Sequence, residues 1–291
     1  MNSIRATVSK VLTYSIVDGP GNRLVVFLQG CNFDCTACHN PHTIGECNHC
    51  GECVPACHAD ALSLVDGRVV FDPGSCDHCD DCLVACPIDA NPMVRDYSVG
   101  EILDLAREHC PFLSGVTVSG GEPTRQLKFV TALFEAIKAD PTLSRLDCFI
   151  DSNGNLDASG WEQLLPVTDG VMLDIKSFDD ALHRELTGEE NRMSLRSARL
   201  LHDAGKLHEL RFLLVPGKTD GDAELDALIA FVKSLGGDVR VKLNAFQHHG
   251  VRPKAREWAP MSKAGVGLAA ERLRHAGIRD VATPAVYVQE A

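Results

Sequence analysis

The chain lacks what would tie it to a membrane or an export route. No apolar run in its 291 residues approaches the roughly 18–20 residues of a membrane span. Its first stretch, MNSIRATVSK, has no apolar core of the length a secretory signal needs. It is also short of positive charge: Lys and Arg number 28 against 40 Asp and Glu, a formal net charge of -12. That balance argues against a nucleic-acid backbone as partner. No low-complexity segment and no general internal repeat stands out. These absences lead to the expectation of a cytoplasmic protein with no membrane and no nucleic acid among its partners.

Cysteine is what the chain has in excess, 13 in all. The count is odd, the chain is too long for a disulfide miniprotein, and eleven of the cysteines fall between Cys31 and Cys86 at spacings of two or three residues. Metal ligation in a reducing compartment explains this better than disulfides do. Cys110 and Cys148 stand outside every motif and read as a helix-end residue and a core residue.

The first group is Cys31-x3-Cys35-x2-Cys38. It supplies three thiolates where a cubane iron–sulfur cluster needs four. One iron is left open, and an open coordination position separates a reactive metal centre from a structural one. A zinc loop is the alternative. The second group lies in residues 46–90, a stretch of different composition that reads as an insert. Cys47-x2-Cys50-x2-Cys53-x3-Cys57 and Cys76-x2-Cys79-x2-Cys82-x3-Cys86-Pro87 are two copies of the bacterial ferredoxin run. In such pairs the fourth cysteine serves the other run's cluster. The expected ligand sets are Cys47, Cys50, Cys53 and Cys86 for one cubane, and Cys76, Cys79, Cys82 and Cys57 for the second. Zinc sites more often group cysteines as two pairs. His58 stands where the first copy would usually carry proline. Electron relay is the expected role; shaping a docking surface is the alternative.

Outside the insert, apolar runs alternate with amphipathic ones. Strands are expected at 24–28, 115–119, 146–150, 170–175, 209–215 and 239–246. Helices are expected at 98–109, 126–139, 161–165, 191–204, 222–235 and 262–276, the first opened by a Ser98–Glu101 capping box. Such alternation predicts a parallel sheet with helices outside it. The expected fold class is α/β, a partial (β/α)6 TIM-like barrel over residues 1–45 and 91–291 with a ferredoxin-like insert at 46–90. The polar signatures all follow strands: Cys31–Cys38, Ser119-Gly120-Gly121-Glu122-Pro123, Asp151-Ser152-Asn153-Gly154 and Asp174-Ile175-Lys176. In barrel folds the C-terminal strand ends carry the active site. Taken alone, Asp151–Gly154 is an ordinary turn, Gly120 and Gly121 can merely shape one, and Asp174 and Lys176 can be a simple ion pair.

With these motifs in place the chain resembles the radical S-adenosylmethionine enzymes. The likeness narrows to the glycyl-radical-enzyme activating enzymes through Asp18-Gly19-Pro20-Gly21-Asn22-Arg23, Cys38-His39-Asn40-Pro41, DSNG and MLDIK. It is closest to the YjjW type, over essentially the whole chain. The resemblance implies three [4Fe-4S] clusters, one of them completed by S-adenosylmethionine, and a monovalent cation near the methionine end of that cofactor. It implies cofactor contacts from Ala37, His39, Ser119, Gly120, Gly121, Glu122, Asp151, Ser152, Asn153, Asp174, Lys176, Arg211, Gln247 and His249. Cys31, Cys35 and Cys38 carry the catalytic cluster. Two departures stand out: Ala37 offers no ring to the adenine, and Phe246 is followed by Gln247, not by histidine, which leaves the ribose contact to Gln247 or His249. The implied activity is reductive cleavage of S-adenosylmethionine to a 5′-deoxyadenosyl radical, which abstracts an α-hydrogen from a glycine of a partner protein. A YjjI-like glycyl radical enzyme is the expected partner and a flavodoxin or ferredoxin the expected electron donor. The rival readings are a radical enzyme acting on a small molecule, and a ferredoxin-like electron carrier.

Overall fold

A computed structural model describes residues 4–284. The chain divides into two compact units, Met1–Asn32 with Asn40–Ile150, and Phe33–His39 with Asp151–Ala291. Among the described residues no helix is long and apolar enough to cross a membrane.

The first unit is built on β2 (Arg23–Leu28), whose residues are buried on both faces apart from a partly exposed Phe27. Burial on both sides is why LVVFL reads as a continuous apolar run. On one side it pairs antiparallel with β1 (Arg5–Ser15), an eleven-residue strand interrupted by two register shifts. The cysteine-rich segment follows, with a hairpin of β3 (Leu62–Val65) and β4 (Arg68–Phe71) and one short helix, α1 (Asp81–Val84). β5 (Arg95–Ser98) then pairs antiparallel with β1. Ser98 opens α2 (Val99–His109) through the capping box with Glu101. β6 (Gly115–Gly120) lies parallel to β2, α3 (Leu127–Ala139) follows, and β7 (Asp147–Ser152) lies parallel to β6.

The cysteine-rich segment has little core of its own. Cys53, Leu62 and Cys82 are buried, with Val54, Cys57, Val69, Phe71, Leu83 and Met93 packed against them. Segments of this size seldom bury enough apolar surface to hold together without metals or cross-links. Here cysteine itself supplies much of what is buried.

The second unit continues the alternation. α4 (Ala158–Leu164), capped by Asp157, precedes β8 (Gly170–Ile175). α5 (Asp180–Thr187) and α6 (Arg192–Asp203) lead to β9 (Leu207–Leu214), then α7 (Asp222–Ser234), β10 (Val241–Ala245), α8 (Lys263–His275) and β11 (Val281–Ala282). β8, β9, β10 and β11 pair in that order, all parallel.

All six apolar runs read from the sequence are strands. The sequence reading did not name β1, β5, β11, the β3–β4 hairpin or α5. β1 and β5 are antiparallel additions to the parallel strands, and their half-exposed pattern hides them from a search for buried runs. α5 had a signal: Asp179 accepts from the Leu182 N–H at one end, and Gly188 takes a left-handed φ of +83° at the other.

The Asp18–Arg23 run is held from within. Arg23 is fully buried; its Nε donates to Thr117 Oγ1 at 2.6 Å and its other nitrogens to carbonyls of Pro20, Val116 and Asp147. Thr117 Oγ1 donates to the Asp18 carbonyl. Past β6, backbones approach closely: a Cβ on Gly121 would lie 2.3 Å from the Gly30 carbonyl oxygen and 2.7 Å from that of Thr43. Neither oxygen is the end of a flexible side chain, so Gly121→Ala should destabilise the fold by roughly 1–3 kcal/mol, the range for overpacking. A lowered urea midpoint at unchanged slope checks this; an unchanged midpoint contradicts it.

Candidate active site and cysteine clusters

In the first unit, β2 and β6 end side by side, and the segments after them interlock. The Gly121 and Glu122 N–H groups donate to the carbonyls of Leu28 and Gly30 at 2.9 and 2.8 Å. The Cys31 N–H donates to the Ile44 carbonyl at 3.0 Å, and Arg125 Nη1 donates to the Cys31 carbonyl at 3.3 Å. Ser119 is 8% exposed and Glu122 fully buried. Glu122 Oε1 accepts from the Thr124 N–H at 3.0 Å and from Thr124 Oγ1 at 2.7 Å. One carboxylate oxygen therefore caps the turn after the glycines.

The second unit contains Phe33–His39, the rest of the Cys31–Cys38 motif. The Asp34 and Thr36 N–H groups donate to the carbonyls of Thr187 and Leu186, at the C-terminal end of α5, at 2.8 and 2.9 Å. Phe33 meets the His183 ring edge-on at 5.4 Å. Asp34 is ion-paired with Arg252. Gly250 lies so close that a Cβ there would stand 2.4 Å from the His39 carbonyl oxygen. The stretch between the first and third cysteines is thus clasped by two segments far along the chain. Asp34, Thr187 and Arg252 were absent from the sequence reading; an acidic residue inside the cysteine motif was the available signal for one of them.

The same unit carries charged residues at the end of β8 and within β9. Lys176 Nζ is 2.7 Å from Asp174 Oδ2. Burial alone would lower the Lys176 ammonium, but Asp174 and the thiols of Cys35 and Cys38 outweigh it and raise it. The cation persists at any working pH and favours the thiolate form of both cysteines. His39 is pushed down by burial and by Lys176 and His249, so its ring is neutral at pH 7. Arg211 is 3.0 Å from Asp151 and 2.8 Å from Glu209. Burial works against its charge; Asp151, Asp174 and Glu209 more than restore it. The Asp151–Gly154 turn is fixed from α6: Ser194 Oγ donates to the Asn153 carbonyl at 2.6 Å and Ser197 Oγ to that of Gly154 at 2.7 Å. Ser152 Oγ and Asn153 Oδ1 each accept an N–H two residues on. Gln247 Nε2 donates to the Met261 carbonyl at 3.0 Å, and His249 is an electrostatic neighbour of His39.

The two downstream cysteine runs repeat one local design. His49 and His78 both have positive φ, and their N–H groups donate to Sγ of Cys47 and Cys76, each at 3.4 Å. Ala61 and Ala90 donate to Sγ of Cys57 and Cys86 at 3.2 and 3.3 Å. N–H groups aimed at sulfur tune a cluster bound there. Cys57, Cys76, Cys79 and Cys82 line one small pocket. Burial, then the neighbouring thiols of Cys53, Cys57 and Cys79, pushes Cys82 up to about 11. Burial also raises Cys53, and Cys47, Cys86 and Cys50 add to it. Thiols gathered so closely resist ionising in the absence of a compensating cation, which is the setting iron supplies. His58, where proline was expected, spans the two runs: it lies 2.7 Å from Asp77 and 3.6 Å from Asp81. His58, Asp77 and exposed Cys79 could also hold a single metal ion between them. Cys110 and Cys148 are both buried, and Cys110 Sγ donates to the Thr142 carbonyl. No disulfide forms among the described residues.

Residues 25–229 match the radical SAM superfamily, and the chain belongs to that superfamily. It is 32% identical to the pyruvate formate-lyase-activating enzyme of Streptococcus mutans over 80% of this chain and 74% of the relative. It is 32% identical to the isethionate sulfite-lyase activating enzyme of Nitratidesulfovibrio vulgaris over 77% and 78%. Among solved structures it is similar to QueE from Escherichia coli, with a TM-score of 0.54, 14% identity, and 97% and 95% of the two chains covered. That likeness carries the fold alone, an α/β fold with a partial-barrel-like parallel sheet. Within the superfamily the chain is a glycyl-radical-enzyme activating enzyme, with oxidoreductase chemistry on S-adenosylmethionine at an iron–sulfur cluster.

Glu209 gives this region a measurable pH signature. Burial would raise its carboxyl, but Arg211 and Arg240 hold it below the usual carboxylate range. A depressed acid stabilises the fold above its unfolded pKa of about 4.3 and loses that contribution as pH falls through the folded value. Glu209→Gln should therefore be less stable than the parent at pH 7, with the gap closing below about pH 4. Chemical denaturation at a series of pH values reads this; a gap independent of pH contradicts it.

Proposed function

We propose that this chain cleaves S-adenosylmethionine reductively to methionine and a 5′-deoxyadenosyl radical, which takes an α-hydrogen from one glycine of a partner glycyl radical enzyme. A YjjI-like protein is the expected partner, as the YjjW-type resemblance implies, and a flavodoxin or ferredoxin the expected donor. The observation that carries the reading is the partly buried Lys176–Asp174 pair, whose ammonium is raised by Asp174, Cys35 and Cys38, a cation next to thiols on a loop that offers one ligand too few for a cubane. A cluster on Cys31, Cys35 and Cys38 would supply the single electron and an iron for the cofactor's amino and carboxylate groups.

The chain's own residues do the rest. Lys176 donates to a carboxylate or ribose oxygen of the cofactor. Arg211 adds a second fixed cation and orients Asp151. Asp151 and Asp174 are hard oxygen ligands that suit a monovalent cation. Ser119, Gly120 and Gly121 offer backbone groups past β6, and the Glu122 carboxylate would accept from the methionine ammonium. Ser152 and Asn153 shape the adjoining turn. His39, Gln247 and His249 form the polar side near the ribose, and Ala37 leaves space against the adenine. The insert would carry two further [4Fe-4S] clusters in the crossed ligand sets and relay electrons inward. A cytoplasmic setting fits the thiol chemistry.

The test begins with anaerobically reconstituted, reduced protein and S-adenosylmethionine. It should form 5′-deoxyadenosine and, with a candidate partner, a glycyl-radical EPR doublet. Lys176→Met should retain the cluster absorbance but cleave roughly a hundredfold more slowly, as expected for the loss of a charge-assisted contact of about 3 kcal/mol. No cleavage by the parent protein favours an electron carrier. Cleavage with no radical in any partner favours a small-molecule enzyme.

A further inference from the structure

Residues 42–45 lead from the catalytic loop into the cysteine-rich segment, and a buried side chain fixes them. Gln29 is 3% exposed. Its Nε2 donates to the carbonyls of His42 at 2.8 Å and Gly45 at 2.5 Å. Backbone bonds run alongside: the Gly30 N–H donates to the Thr43 carbonyl at 2.8 Å and the Cys31 N–H to that of Ile44 at 3.0 Å. Arg125 closes the edge, binding the Cys31 carbonyl and Glu46 Oε1, the latter at 3.0 Å. This latch rests on Gly30, where a Cβ would stand 3.0 Å from Glu46 Oε1 and 3.3 Å from Arg125 Nε.

The far side of the linker is anchored too. Gly45 forms a parallel bridge with Ala90, and the Ala90 N–H donates to Cys86 Sγ at 3.3 Å. Cys47 follows Gly45 closely and Cys86 precedes Ala90 closely, so both ends of one crossed ligand set meet at this bridge. From Cys47 back to Ile44 is a short covalent path, and from Ile44 to Cys31 a single hydrogen bond. The other crossed set is tied within the insert itself: Cys57 Sγ accepts from Ala61, Cys76 Sγ from His78, and His58 clasps Asp77.

We propose that the cluster on Cys47, Cys50, Cys53 and Cys86 is the immediate electron donor to the catalytic cluster, and that Gln29 is the positioning residue that holds it there. The inference rests on the three-cluster reading under Proposed function. With the clusters bound, one electron from a low-potential carrier protein would enter by the Cys76, Cys79, Cys82 and Cys57 ligand set. Its onward transfer would oxidise the group on Cys47, Cys50, Cys53 and Cys86 by one electron and reduce the group on Cys31, Cys35 and Cys38 by one. No bond breaks and no proton moves in this step.

The test uses the full-length reconstituted protein and reads EPR relaxation of the reduced catalytic cluster, which a paramagnetic neighbour broadens and speeds. Cys50→Ser should abolish that enhancement, and Cys79→Ser should leave it intact. Gln29→Glu replaces the amide donor with a carboxylate facing two carbonyls; it should keep the parent iron content but weaken the enhancement at least twofold. The proposal is overturned if Cys79→Ser alone abolishes the enhancement, if both serine variants act alike, or if Gln29→Glu matches the parent. Parent protein holding iron for one cluster overturns the three-cluster reading itself, an outcome distinct from the others.

Discussion

Closely packed thiolates repel one another, and most of the chain's local architecture answers that repulsion. The protein is already strongly acidic, and eleven of its cysteines crowd between Cys31 and Cys86, about one fifth of the sequence. Two devices make the crowding tolerable. At Cys35 and Cys38 it is a partly buried ammonium, Lys176, kept charged by Asp174 and by the cysteines themselves. At the downstream runs it is backbone N–H groups aimed at sulfur, at matching places in each copy. Neither device neutralises a full set of thiolates. Burial and the neighbouring thiols still push Cys82 up to about 11; on the proposed three-cluster reading iron would supply the remaining stabilisation, and folding of this segment would be coupled to loading it.

The glycines of the Ser119–Glu122 motif gain a steric meaning from the same geometry. A side chain on Gly120 would meet the Leu28 backbone at 2.2 Å, and one on Gly121 would meet Gly30. The motif lets one strand end press against the residues leading into Cys31. Its proposed service to the cofactor and its service to the cluster loop are therefore not separable: a side chain that blocked one would displace the other. Glu122 follows the same pattern, its Oε1 accepting from the Thr124 N–H and hydroxyl at the turn after the glycines.

What the sequence made legible were features carried by period or by spacing. Buried parallel strands announced themselves as short apolar runs, and the Ser98–Glu101 box marked a helix start to the residue. The cysteine spacings carry an expectation of the ligand sets. What stayed hidden depends on partners distant along the chain. Nothing in Asp34 advertises Arg252, nothing in Gln29 advertises the carbonyls of His42 and Gly45, and Arg125 reads as an ordinary basic residue after a motif. β1 was missed because its exposure pattern is irregular where two register shifts interrupt it. The missing proline at His58 was legible, but its replacement was not, because the Asp77 and Asp81 carboxylates belong to the other run.

On the proposed reading, the arrangement of carboxylates leaves Lys176 for the cofactor and holds Arg211 back. Arg211 is gripped by Asp151 and Glu209, and Glu209 is shared with Arg240. Its guanidinium is satisfied by the protein and can shift only by giving up a buried pairing, which is costly. Among the described residues Lys176 has Asp174 alone as its close carboxylate, at 2.7 Å, and an ammonium carries three donors. A ligand that brings its own carboxylate would therefore meet a rigid wall at Arg211 and an adaptable donor at Lys176. An ammonium on a flexible stem, with only one close carboxylate partner, is the group that can follow a substrate as its charge changes.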